Sequence, residues 1–225
     1  MKIISVNCGL PRQVPWQGME VTTSIYKEPV SGRVPLRTLN LDGDKQSDLS
    51  VHGGKDKAVY CYPLEHYSYW EGKRLNVPLS MGVFGENFTT EGLSEETVHI
   101  GDRFGVGTAE VVVTQPRMPC YKIGIRFQSN DMIKRFLDSR RSGFYVAVIR
   151  EGEVGTGDEI TKLGSVPDSI SITDIVRLYV AKSYSTEDAQ LVQRAIAVDA
   201  LPEGWREYFE DKLNRLSPGF TPGRH

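Results

Sequence analysis

No stretch of the chain approaches the roughly 20 apolar residues that a membrane-crossing helix needs. Met1-Lys2-Ile3-Ile4-Ser5-Val6 gives way to Asn7, Gly9, Pro11 and Arg12 too soon for the apolar core of a secretory signal. The expectation is a cytoplasmic protein with no membrane partner. Cysteine is scarce: Cys8, Cys61 and Cys120 are an odd set of 3, widely spaced and without a CxxC pair. That argues against a disulfide framework, a structural zinc site and a four-thiolate iron–sulfur cluster. Neither sign of charge prevails, with 27 Lys and Arg against 29 Asp and Glu mixed along the chain. Polymeric nucleic acid is therefore not an expected partner. The 4 histidines (His52, His66, His99, His225) show no metal-ligand spacing. Gly105-Val106-Gly107 lacks both the third glycine and the following helix of a dinucleotide fingerprint.

What is present is ordinary globular composition, 39% hydrophobic and 25% charged over 225 residues, enough to bury a full core. To about residue 165, short apolar runs alternate with glycine. Strands are expected at Lys2 to Val6, Val21 to Tyr26, Arg33 to Leu36, Ala58 to Tyr62, Arg103 to Val106, Ala109 to Thr114, Phe144 to Arg150 and Asp158 to Thr161. That density indicates a mainly β barrel or sandwich. Helices are expected to open at Pro63 and to span about Asn130 to Ser139. After Gly164-Ser165-Val166-Pro167 the pattern changes. Ser171 to Asp174 and Ser185 to Asp188 match the Ser-x-x-acid signature of a helix start. A stripe of Trp205, Tyr208, Phe209, Leu213 and Leu216 marks a third helix. Two units follow: a β body over 1–166 and a three-helix tail over 167–225, the tail expected to pack on the body.

Three segments carry candidate chemistry. Cys120 follows the β-branched run Val111-Val112-Val113 in Gln115-Pro116-Arg117-Met118-Pro119-Cys120-Tyr121-Lys122. Prolines stiffen the backbone there, and Arg117, Lys122 and Arg126 bring positive charge, which favours the thiolate that attacks electrophiles or binds soft metals. A small buried hydrophobe is the plainer reading of the same residue. His52-Gly53-Gly54-Lys55-Asp56-Lys57 combines a free backbone with lysines, as an anion nest requires, or it is a glycine turn entering a strand. Gly82-Val83-Phe84-Gly85-Glu86-Asn87-Phe88-Thr89 places an amide and a carboxylate after a glycine pair, either to read a heterocycle's edge or to close a turn.

Taken in order, Val51-His52-Gly53-Gly54-x-x-Lys57-Ala58-Val59-Tyr60-x-Tyr62, Gly85-Glu86-Asn87-Phe88-Thr89, Ile100-Gly101-Asp102 and Gln115-Pro116-Arg117-x-Pro119-Cys120 resemble the motifs of the MOSC domain, the C-terminal module of molybdenum cofactor sulfurases. The tail, with Leu201-Pro202-x-x-Trp205, is similar to the helical domain of YiiM-type proteins. The resemblance implies a MOSC-type β-barrel and a molybdenum cofactor (molybdopterin) with Cys120 as metal ligand. Cofactor contacts would come from Gly53, Gly54, Lys55, Lys57, Gly85, Glu86, Asn87, Phe88, Arg117 and Lys122. It further implies reduction of N-hydroxylated compounds such as hydroxylaminopurines and amidoximes to amine and water. The chain has no ligands for an iron–sulfur centre, so electrons would come from a separate reductase, with His52 or a water aiding protonation. A persulfide carrier on Cys120, a cofactor-binding module without reductase activity, or a hydrolase using Cys120, His52 and Asn87 are the rival readings. The aromatic stripe of the tail is an alternative docking face for the electron donor or for a second copy in a homodimer.

Overall fold

The computed structural model describes residues 1–47 and 53–216. Its strands are β1 (Lys2–Cys8), β2 (Arg12–Trp16), β3 (Met19–Thr23), β4 (Glu28–Pro29), β5 (Arg33–Leu36), β6 (Val59–Pro63), β7 (Phe88–Glu91), β8 (Arg103–Val106), β9 (Ala109–Pro116), β10 (Phe144–Arg150), β11 (Gly152–Gly155) and β12 (Ile160–Gly164). The helices are α1 (Glu65–Glu71), α2 (Tyr121–Phe127), α3 (Met132–Ser139), α4 (Ile172–Val180), α5 (Thr186–Ile196) and α6 (Glu203–Leu216).

Eight strands form the main sheet in the order β12-β8-β9-β10-β6-β7-β1-β4, with β11-β5 and β2-β3 as separate pairs. The sheet curls without closing through a continuous ladder. Its β12 end reaches the start of β1 through a lone bridge, Lys2 with Glu159, and through the Ile160 N–H, which donates to the Met1 carbonyl at 2.8 Å. The expected barrel is thus a curled, nearly completed sheet. Every residue of β6 is buried, as suits a strand covered on both faces. Pairing of β6 with β7 is parallel, Cys61 opposite Phe88, and so requires a crossover connection, which contains α1.

Several expected elements shift for identifiable reasons. Pro63 ends β6 instead of opening a helix, and α1 starts two residues later, after the Leu64 N–H has bonded to the Thr90 carbonyl at 2.7 Å. The strand expected to reach Tyr26 stops at Thr23, whose Oγ1 accepts from the Ile25 N–H at 3.2 Å. Helix α2 was not anticipated, because Lys122-Ile123-Gly124-Ile125-Arg126-Phe127 alternates with the period of a strand. It is helical because Ile123 and Phe127 are buried together in an aromatic cluster with Tyr62, Trp70, Phe84 and Phe136.

The tail folds as its local chemistry dictates. Ser171 Oγ accepts from the Asp174 N–H at 3.0 Å, and Ser185 exchanges bonds with Asp188 in a capping box, contacts worth about 1 kcal/mol each. The last carbonyls of α4 would lack partners, but Lys212 of α6 donates to Leu178 and Tyr179 at 2.8 and 2.6 Å. The tail shares one core with the body: Ile172, Ile175, Leu178, Val192 and Phe209 join Ile3, Phe88, Val113 and Phe144. It is therefore a packed layer of the molecule.

Candidate functional site

The segment 117–120 leaves β9 under tight control. The Arg117 N–H donates to the Gly143 carbonyl at 3.2 Å, and prolines at 116 and 119 fix φ on either side of it. Cys120 then sits at the N-cap of α2 in extended conformation, its carbonyl accepting from the Ile123 N–H at 3.0 Å. With α2 anchored in the core, the half-buried thiol is held at the wall of a cavity.

That cavity also presents Lys57, Gly85, Asn87, Arg117 and Lys122. It therefore gathers six of the positions singled out from the sequence, which come from three separate segments. Its charge is positive. Arg117 is 6% exposed, lies 5.3 Å from the Tyr60 ring centroid and 5.1 Å from that of Phe136, and has a buried Nη1 with no hydrogen-bond partner among the described residues. Burial works against its charge, but Tyr60, Tyr145 and Cys120 outweigh that and hold its pKa above the ordinary arginine value. Burial also pushes the Tyr60 and Tyr145 hydroxyls up, so both stay neutral. Lys122 donates to Ser47 Oγ at 3.1 Å. Lys57 has its pKa lowered by burial, against the opposing pull of Asp56 and Cys120.

Tyr60, a motif residue with no role assigned from the sequence, and Ser24, Lys27, Asp44 and Tyr145, which carry no sequence signal, also line the wall. Lys27 and Asp44 form a buried ion pair at 2.5 Å, and Asp44 further accepts from the Gly9 N–H and from Asn87 Nδ2. Asn87 is thus a strut: its Oδ1 accepts from the Tyr60 N–H at 3.1 Å while Nδ2 reaches Asp44 and the Asn7 carbonyl. The Ser24 hydroxyl is buried and, like Arg117 Nη1, has no partner among the described residues. Gly85 (φ +84°) permits the close approach of this wall, since a Cβ there would lie 2.9 Å from Ile25 Cγ1.

Other candidates stand elsewhere. Glu86 is fully buried and closes its turn by accepting from the Gly82 and Phe84 N–H groups, Thr89 Oγ1 and the Tyr67 hydroxyl. Phe88 is a core residue of β7. Arg126 lies against the Tyr26 ring instead of facing Cys120's cavity. Gly54 and Lys55 are exposed, and Gly53 borders a second groove. His52 lies outside the described residues. Among the described residues no three His, Cys, Asp or Glu side chains are grouped to hold a metal ion. A metal on Cys120 would need its remaining ligands from a cofactor of its own.

The MOSC domain family matches residues 48–161, and the YiiM-like, 3-alpha helix domain matches residues 170–216. The chain belongs to the MOSC family, with a YiiM-like helical tail. This YiiM-like chain is 38% identical over 216 residues to the uncharacterized protein YflK of Bacillus subtilis (strain 168), covering 96% of each. It is 31% identical over 196 residues to a protein named Reductase from Gibberella moniliformis (strain M3125 / FGSC 7600), covering 84% of the chain and 35% of that longer protein. The crystal structure of YiiM from Geobacillus stearothermophilus superposes with a TM-score of 0.77 at 33% identity, covering 94% of this chain and 98% of that one. In the YiiM-like chain the tail reaches the site's border: Tyr179, Trp205 and Tyr208 face Lys57 and Gln115 across the second groove.

Proposed function

We propose that the chain is a cytoplasmic molybdenum-cofactor-dependent reductase that cleaves the N–O bond of N-hydroxylated compounds, with electrons from a separate reductase. The observation that carries this reading is the cavity itself. One thiol, a buried guanidinium with an unpartnered N–H, and the lysines Lys57 and Lys122 converge there. MOSC membership and a relative named Reductase support it.

The residues fit the group by chemistry. A thiolate at Cys120 is a soft ligand suited to molybdenum. Arg117, Lys122 and the Ser24 hydroxyl offer donors to phosphate or pterin oxygens, and the two unpartnered buried atoms are explained if a bound group satisfies them. The cavity, with a volume of about 80 Å³ and open to solvent on one side, is smaller than such a cofactor, part of which would lie outside this ring of residues.

When bound, the cofactor supplies two electrons, and the overall change is R–NH–OH plus two electrons and two protons to R–NH₂ plus water. The protein's share is binding and proton supply. Its basic wall retains an anionic group, and the neutral Tyr60 and Tyr145 add no opposing charge. Lys57, with its pKa lowered by burial, is the described side chain best suited to deliver a proton at the cavity's border. His52 remains the second proposed donor. Full turnover across pH in His52→Ala with an artificial electron donor would remove it from that role.

The test is the molybdenum-to-protein ratio of wild type and Cys120→Ser, each purified from a host that makes the cofactor. Near-stoichiometric metal in wild type, lost in the variant, is expected. Absence of metal in both, with persulfide on Cys120, would replace this reading with sulfur transfer.

A further inference from the structure

Lys57 borders two concavities at once. The first is the Cys120 cavity; the second is a groove of about 430 Å³ between body and tail, lined by Asp56, Gln115, Tyr179, Trp205 and Tyr208 among others. No other described residue lines both, so Lys57 is the wall that the two share.

Three rings form one side of the groove. Tyr179 lies 5.5 Å from Trp205 and 5.0 Å from Tyr208, and Trp205 lies 6.3 Å from Tyr208, centroid to centroid. Phe209 beside them is covered, whereas these three, of which Trp205 and Tyr208 pack on the core by one side, remain partly exposed. Two of their polar edges are already fixed. Trp205 Nε1 donates to Gln115 Oε1 at 2.9 Å, and the Tyr208 hydroxyl donates to the Tyr179 carbonyl at 3.2 Å. What is left over is apolar ring surface held in place, with Trp205 steeply tilted against both tyrosines, so that a planar group finds a ring face and a ring edge to pack on at little conformational cost.

The facing turn adds complementary edges. Asp56 is pinned by its carbonyl, which accepts from Thr114 Oγ1 at 2.7 Å and Gln115 Nε2 at 3.2 Å, and it is the acidic residue of the groove's lining. Lys57 supplies the donor beside it. Aromatic faces with one acceptor and one donor at their rim suit a planar ring bearing N–H and ring-nitrogen groups.

The geometry points to this groove as the subsite for the planar ring of the substrate, with its N–OH group directed past Lys57 toward Cys120. This assignment rests on the proposed reductase activity. It gives the helical tail a task, selection of aromatic and heteroaromatic N-hydroxylated compounds over small aliphatic ones.

The holoprotein and its Trp205→Leu variant would be compared in three ways. These are kcat/KM for 6-hydroxylaminopurine against acetamidoxime, bound molybdenum, and calorimetric affinity for 6-hydroxylaminopurine without electron donor. The expected result is a roughly tenfold fall in the ratio of the two kcat/KM values and a roughly tenfold weaker affinity, with metal content unchanged. An unchanged ratio would overturn the assignment, and loss of metal would give the groove to the cofactor instead. Should Trp205→Leu fail to fold, Tyr208→Leu, which keeps the bond to Gln115, carries the same test. If wild type holds no molybdenum and reduces neither compound, the reductase reading fails on its own. Calorimetry on wild type and variant then still decides whether the groove takes a ring.

Discussion

Trp205 Nε1 donates to Gln115 Oε1 at 2.9 Å across 90 residues of sequence, joining the tail to the strand that leads to Cys120. Gln115 is 5% exposed, and its Nε2 also donates to the Asp56 carbonyl at 3.2 Å. One amide therefore holds the tail, the 55–57 turn and β9 in fixed relation.

Replacing Gln115 with leucine removes both bonds and strands a half-buried indole N–H and a backbone carbonyl. Each orphaned group costs about 1–3 kcal/mol, less where water reaches it. A loss of about 2 kcal/mol lowers the melting temperature by about 4–8 °C for a chain of this size. Calorimetric melting of Gln115→Leu would show this shift, and an unchanged melting temperature would mean that the bond to Trp205 does not hold the tail.

Arg117 makes the opposite prediction. Its guanidinium is buried without a carboxylate partner among the described residues, and its Nη1 is left without a hydrogen bond, so that part of its desolvation is uncompensated in the empty fold. Arg117→Met keeps comparable volume and discards that charge. Stability of the cofactor-free protein in urea should be equal to wild type or higher, while retained molybdenum falls at least tenfold. A variant that loses stability but keeps the metal would assign Arg117 to structure alone.

The contrast between these two residues shows what can be read from sequence. Thr114-Gln115-Pro116-Arg117 with Cys120 was legible as a site because proline, cation and thiol fall within one short run. The same holds for the caps at Ser171 and Ser185, whose chemistry spans three residues. Arg33–Leu36, Arg103–Val106 and Phe144–Arg150 were legible as short apolar or alternating runs punctuated by glycine. By contrast, Lys27 and Asp44 are unremarkable in sequence, and only folding brings them to a buried contact. Strand β7 was hidden in what read as a turn, because its extended form is imposed by β1 on one side and β6 on the other. Glu86 and Asn87 looked alike as candidates. Which of them faces the cavity depends on the alternation that β7's register imposes just beyond them.

Glu86 carries a pH signature. Burial raises its pKa above the ordinary 4.5, with hydrogen bonds from Tyr67, Gly82 and Thr89 offsetting part of that rise. Between 4.5 and the raised value the native state keeps a proton that the unfolded chain has released. Stability from this group is therefore complete below that window and is lost as pH rises through it. Glu86→Gln lacks this slope and turns an N–H₂ toward groups that are themselves donors. Urea unfolding should show a gap of about 1–3 kcal/mol in favour of wild type near pH 4, narrowing as pH approaches 7. A gap that widens with pH would reverse the assigned sign.

Thiol chemistry separates the three cysteines. Cys61 is 4% exposed in the fully buried strand β6, and burial drives its thiol far above the usual range. Cys8 is 9% exposed and its thiol is pushed up to about 11, chiefly by burial and further by Asp44, against the pull of Lys27. Neither presents a thiolate near neutral pH, and neither is within reach of a reagent in solution. Cys120 is half-buried at a cavity wall beside Lys57 and Arg117. Iodoacetamide at pH 7.5 should therefore add a single carbamidomethyl group to the native, cofactor-free chain, located at Cys120 by peptide mass spectrometry and missing from Cys120→Ser. Bound cofactor should protect that thiol, so the labelled fraction in a holoprotein preparation should fall in proportion to its molybdenum content. Labelling independent of metal content would separate Cys120 from the metal site whatever the activity of the preparation.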